Sequence, residues 1–208
     1  MNYCFITGDS FEEDNLIWSP TAGQLIANHY GLTWKTFAKS GQGNFYILNT
    51  VLKNIKKENY KLALISWSSI NRKDYITTFS NWQVNASTDV LQINDTYFSL
   101  EDQILFENLN YILSAQMILE GYGIPYCMWW GINSLGDTKN VKCLEMIEII
   151  KSKKTFYNFE YSSFEQAKKI NQLSDYDGKH PNQEAHRRWS LEIIKFMESQ
   201  KIYVKDSE

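Results

Sequence analysis

The chain has 208 residues, of which 43% are hydrophobic and 22% charged, with a formal net charge of −3. That balance excludes the low-hydropathy, high-charge regime of disorder, and the lack of a basic block interleaved with aromatics argues against binding a nucleic-acid backbone. No stretch reaches the ~18–20 apolar residues of a membrane span, and residues 1–7 have neither the basic start nor the apolar run of a secretion signal. The expectation is a protein that is soluble and cytoplasmic when made, with no membrane or nucleic-acid partner.

Residues 2–6 form a short apolar run that ends at once in Thr7-Gly8-Asp9-Ser10, the pattern of a buried parallel strand leading into a functional turn. Residues 20–30 place Ala22, Leu25, Ile26 and Tyr30 at helical spacing, with Pro20 at the start and Gly31 at the end. A second strand is predicted over 32–37 and a second helix over 44–59, where Ile47, Leu48, Val51, Leu52 and Ile55 share one face. Leu62-Ala63-Leu64-Ile65 is a third strand, too apolar to have a wet side. Two strand-helix units in a row predict a parallel sheet covered on both faces.

Residues 71–99 break this rhythm and are expected to be an insertion, with partial alternation around Trp82 and Val84 that suits a hairpin. Helices over 100–122, 141–151 and 186–200 and a fourth strand over 124–129 complete the reading. No repeat or linker divides the chain, so one domain over 1–208 is expected. Cys4, Cys127 and Cys143 have no Cys-x-x-Cys pairing and no nearby His, which predicts buried thiols and no metal site. Trp67, Trp82, Trp129 and Trp130 fall near strand ends and are candidates for a pocket wall.

Ligands of open α/β sheets collect at the carboxyl ends of the strands. There the sequence carries Gly8-Asp9-Ser10-Phe11, then Ser40-Gly41-Gln42-Gly43-Asn44, then Ser66-Trp67-Ser68-Ser69-Ile70-Asn71-Arg72. Asp177-Gly178-Lys179-His180-Pro181-Asn182 precedes the last helix. A serine hydroxyl needs an imidazole to take its proton, and the imidazole needs a partner to orient it. Asp177 and His180, three apart in one loop, can supply both. His29 and His186 have no such partner and are expected on a helix surface or in the core. Gly41-Gln42-Gly43 before a helix lacks the Walker lysine, so nucleotide binding is not expected.

The order Gly-Asp-Ser near the start, Gly after the second strand and Asp-x-x-His near the end resembles the SGNH/GDSL hydrolase family over most of the chain. The resemblance implies a flavodoxin-like three-layer α/β/α sandwich with a central, mostly parallel sheet, and no metal or organic cofactor. It also implies Ser10 as nucleophile, His180 as base, Asp177 as its orienting partner, and the amides of Ser10 and Gly41 as oxyanion donors. The departure is the third block, where the family has Gly-x-Asn-Asp and this chain has Ser66-Trp67-Ser68-Ser69. Ser68, Asn44 or Asn71 are the candidates for the missing donor, Asn44 being equally suited to cap the helix that follows. Asp9, Trp67, Asn71 and Arg72 are the candidate substrate contacts, Arg72 through a carboxylate or phosphate. The altered block is similar to that of phage-encoded SGNH-like proteins. The implied activity is hydrolysis of a small acyl ester such as an O-acetylated carbohydrate. The alternatives are a weakened scaffold kept as a phage structural or binding protein, and an acyltransferase with the same triad.

Overall fold

A computed structural model describes residues 2–14, 19–76, 82–85, 100–132, 138–173 and 180–203. Asp177, the side chain of Trp82 and most of the 71–99 segment lie outside the described residues.

The apolar runs form a four-stranded parallel sheet. β1 (Tyr3–Thr7) pairs with β2 (Thr33–Thr36) on one side and β3 (Tyr60–Trp67) on the other, and β3 pairs with a later strand over Tyr126–Trp130. Between β1 and β3 run α1 (Ala22–His29) and α2 (Asn44–Asn54). β4 (Lys73–Ile76) and β5 (Trp82–Asn85) pair antiparallel as a separate two-stranded sheet, the arrangement the alternation around Trp82 predicts. α3 (Leu100–Gly121) leads to β6, the Tyr126–Trp130 strand, so the main sheet has the order β2-β1-β3-β6. α4 (Val141–Ser152), α5 (Ser163–Lys169) and α6 (Gln183–Ser199) follow. Beyond β6, among the described residues, the sheet continues as a parallel bridge between Met128 and Phe156.

Strand residues alternate between two cores. Phe5, Ala63, Ile65, Trp67, Met128 and Trp130 pack with α2, α3 and α4 on one face. Cys4, Ile6, Leu62, Leu64, Cys127 and Trp129 pack with α1 and α6 on the other. Because helices cover both faces, even the final strand residues have no wet side. Trp67, Trp129 and Trp130 are therefore fully buried core residues. This corrects the expectation that they wall a pocket. All three cysteines are buried and unpaired, as their apolar settings predict.

Local capping explains the helix limits. Thr21 caps α1 and Asn182 caps α6, so the last helix begins three residues before the expected His186. Ser162 and Glu165 make a capping box that starts α5, a helix the periodicity did not reveal. Asn44 is not the cap of α2. That position is Gly43, which has no side chain to offer. Among the described residues, no helix is long and apolar enough to cross a membrane.

Candidate active site

The turn after β1 is built by Asp9. Its Oδ1 accepts the Phe11 amide at 3.0 Å and its carbonyl accepts the Glu12 amide at 3.1 Å, which fixes the backbone on both sides of Ser10. Gly8 is required by close approach, since a Cβ there would lie 2.9 Å from both Cβ and the carbonyl oxygen of Ser66. Asp9 itself is fully buried, with Arg72 Nη1 4.0 Å from its Oδ2. Burial raises its pKa. The Arg72 cation, the Phe11 amide, the Ser68 hydroxyl and the charge of His180 act the other way. The Ser68 contact falls outside hydrogen-bond geometry, because Asp9 Oδ2 and Ser68 Oγ each lack a partner among the described residues. Asp9 thus shapes the turn and is shielded from a substrate, contrary to its expected contact role.

The loop after β2 runs beside that turn, held by the Phe37 amide on the Ile6 carbonyl at 2.8 Å and the Lys39 amide on the Gly8 carbonyl at 3.2 Å. In it the amides of Ser40, Gln42, Gly43 and Tyr46 are bonded to Glu13, Lys39 and Asp74. Gly41 has φ of 74°, a left-handed conformation that favours glycine. Among the described residues, the amides of Ser10 and Gly41 have no hydrogen-bond acceptor, while those of Phe11 and Glu12 in the first turn and of Ser40 and Gln42 in the second are paired.

His180 packs edge-on against Phe11, with ring centroids 5.5 Å apart. Its loop is anchored by the Leu173–Pro181 bridge and by the Asn182 amide on the Gln172 carbonyl at 3.0 Å. The imidazole stands close enough to influence both Asp9 and His186 electrostatically. Ser10 and His180 are therefore delivered to the same end of the sheet by two distant loops. The Ser10 hydroxyl makes no hydrogen bond among the described residues, and such bonds often tighten only once substrate is bound.

The third block differs from expectation. The Asn44 side chain is fully buried: Nδ2 donates to the Ser68 carbonyl at 3.1 Å and to Asn108 Oδ1 at 2.7 Å, and Oδ1 accepts the Ser68 amide at 2.7 Å. Both amide hydrogens are used, so Asn44 has none for an oxyanion. Ser68 is buried too, its amide spent on Asn44 and its hydroxyl closed off from solvent. Of the expected third-block donors, Asn71 alone is exposed. Arg72 donates to the Gln42 carbonyl at 3.4 Å and, with Asp74, Phe45 and Tyr111, lines a cavity of about 110 Å³.

Sequence reasoning missed three residues. Asn108 holds the Ser68–Ile70 segment by donating to the Ile70 carbonyl at 3.2 Å. Asp74 caps α2 from another sheet. Glu12, buried behind the Ser10 turn, accepts the Gly23 amide at 2.9 Å, and burial pushes its pKa up to about 8. No local pattern marks any of the three. Beside Glu12, His186 accepts the Ala22 amide at Nδ1, so it is a core histidine. His29 sits on the surface with its Nε2 3.4 Å from Glu198 Oε1.

No family model matches the chain, and no curated sequence matches it significantly. Solved structures do. A psychrotrophic esterase, EstA, from a Pseudoalteromonas species superposes with a TM-score of 0.58 at 11% identity, covering 98% of this chain and all of the other. A lipase/acylhydrolase from Enterococcus faecalis gives 0.53 at 12%, with both chains fully covered. The acetyl xylan esterase Est2A from Butyrivibrio proteoclasticus gives 0.53 at 11%, covering 96% of this chain and 64% of the other. With its parallel sheet between two helical layers, the chain has the α/β fold of SGNH hydrolases.

Proposed function

We propose that the chain hydrolyses a small acyl ester through an acyl-enzyme on Ser10. The observation that carries this reading is the pair of amides at Ser10 and Gly41, which have no acceptor among the described residues in two adjoining turns where the amides of Phe11, Glu12, Ser40 and Gln42 are paired. Backbone donors held this way suit the oxygen of a tetrahedral intermediate, and losing one such donor costs ~10²–10³ in rate. Ser10 Oγ attacks the ester carbonyl as His180 takes its proton. The carbonyl oxygen gains negative charge against the two amides, and the C–O bond breaks as His180 returns the proton to the departing alcohol. Water, deprotonated by His180, then releases the acid. Asp177, outside the described residues, is assigned to orient the imidazole, and Asn71 and Arg72 are the substrate contacts we retain. The esterase names of the structural neighbours make an O-acetylated carbohydrate the first natural substrate to try.

A second reading is a non-catalytic binding scaffold, favoured by the third block, whose Ser66, Trp67 and Ser68 side chains are all fully buried. Hydrolysis of a p-nitrophenyl acyl series, acetate to octanoate, separates the two, with Ser10→Ala and His180→Ala alongside and a fluorophosphonate probe for labelling. Turnover and labelling that vanish in Ser10→Ala are expected. A folded wild type that neither turns over nor labels overturns the enzyme reading. Greater turnover on adding an alcohol acceptor would mark acyl transfer.

A further inference from the structure

The loop that carries Gly41 is gripped from outside. α2 starts at Asn44 behind a glycine cap, so the helix cannot satisfy its own first amides. Asp74 of β4 does so from 31 residues away, Oδ1 accepting the Gly43 amide at 2.6 Å and Oδ2 the Tyr46 amide at 2.7 Å. Two residues earlier, Arg72 Nη1 bonds the Gln42 carbonyl at 3.4 Å. The fit is close, since a Cβ on Gly43 would lie 2.8 Å from the Arg72 carbonyl oxygen and 3.0 Å from Asp74 Oδ1. Gly41 has the opposite surroundings: a Cβ there would meet nothing within 4 Å. A left-handed glycine in open space has no packing of its own to aim its amide. The direction of that amide is set by what holds the residues on its two sides, Ser40 through its amide on Glu13 at 3.1 Å and residues 42 and 43 through Arg72 and Asp74.

We propose that Asp74 is a positioning residue for the Gly41 oxyanion donor, with Arg72 as a second tie on the same loop. This rests on the reading of Ser10 and Gly41 as an oxyanion hole. Asp74 acts through the backbone, so its loss weakens an interaction made in the transition state more than substrate binding.

The test uses the full chain and p-nitrophenyl acetate, comparing wild type, Asp74→Ala, Asp74→Asn, Arg72→Met and Ser10→Ala by steady-state kinetics and thermal melting. Asp74→Ala is expected to lower kcat at least ~10-fold with KM within ~3-fold, a sizeable part of the loss from a missing donor. Asp74→Asn keeps one of the two oxygen acceptors and sets an NH2 against the other amide, so its loss in kcat is expected to be smaller than that of Asp74→Ala. If Asp74→Ala does not fold, Arg72→Met carries the test through kcat alone, expected to fall ~3-fold or more, since its KM also reports the substrate contact assigned to Arg72. Unchanged kcat in a variant whose melting temperature falls would reduce Asp74 to a helix cap and overturn the inference. So would equal losses in Asp74→Ala and Asp74→Asn. In both cases Ser10-dependent turnover by wild type leaves the esterase reading standing. A wild type without turnover overturns both.

Discussion

Glu12 and His186 give this protein a pH dependence that one substitution should change. Glu12 is 1% exposed and His186 4%, and each accepts an amide from the first turn of α1, at Gly23 and Ala22. Burial moves them in opposite directions, Glu12 up from 4.5 to about 8 and His186 down from 6.5 to about 4, the nearby His180 adding to the second shift. The protonated Glu12 is favoured by the fold, so its contribution is complete below pH 4.5 and is lost as pH rises through about 8. Neutral His186 is favoured, so its contribution is complete above pH 6.5 and is lost as pH falls through about 4. Each pH unit inside a window is worth about 1.4 kcal/mol. The windows overlap with opposite slopes between pH 4.5 and 6.5 and cancel there. From pH 6.5 to 8 Glu12 acts alone and costs about 2 kcal/mol. Glu12→Gln keeps an acceptor for the Gly23 amide and removes the titration. Urea denaturation at pH 5, 6.5, 8 and 9 should therefore show the variant gaining on wild type by about 2 kcal/mol between pH 6.5 and 8, at constant m-value. Groups elsewhere titrate alike in both proteins and drop out of the difference. Parallel stability curves for the two would refute the claim that Glu12 folds as a neutral acid.

Asn44→Ala removes three buried hydrogen bonds and leaves Ser68 and Asn108 groups unpaired. It should lower unfolding free energy by about 3 kcal/mol or more, and a loss below about 1 kcal/mol in a urea titration would contradict the assigned network. Gly131→Ala places a Cβ 2.6 Å from Ser66 Oγ and 3.3 Å from Asp9 Oδ1. A destabilisation of about 1–3 kcal/mol is expected from this overpacking, and an unchanged melting temperature would show that the turn yields more easily than its contacts imply.

What could be read from the sequence was whatever depends on chain neighbours. Leu62 to Ile65 have to be a covered strand because no polar position interrupts them, and the glycine needed at φ 74° stands out in Ser40-Gly41-Gln42. A capping signal was also present at Ser162 and Glu165, and α5 escaped notice only because seven residues are too few to show a helical period. The tryptophans misled for a different reason. A strand end was equated with a site, yet Trp67 points along the same face as Ile65 and Ala63, into a core that α2 and α3 close.

The supports of the site were out of reach because each joins residues that only the tertiary fold brings together. Asn44 looked like a spare amide beside an oxyanion hole. Its two hydrogens prove to be committed to Ser68 and to Asn108, 24 and 64 residues away. Asp74 looked like one more polar residue in an irregular insertion, and its role follows from a defect elsewhere, the side-chain-free cap at Gly43. The two are linked: α2 takes its cap from β4 and gives its first side chain to the segment after β3, so the altered third block is fastened at both ends to the loop bearing Gly41. On the proposed reading of Ser10 and Gly41 as oxyanion donors, a chain whose third block offers no side-chain donor in place of the asparagine depends more heavily on the aim of its backbone donors, and these ties are what would set that aim.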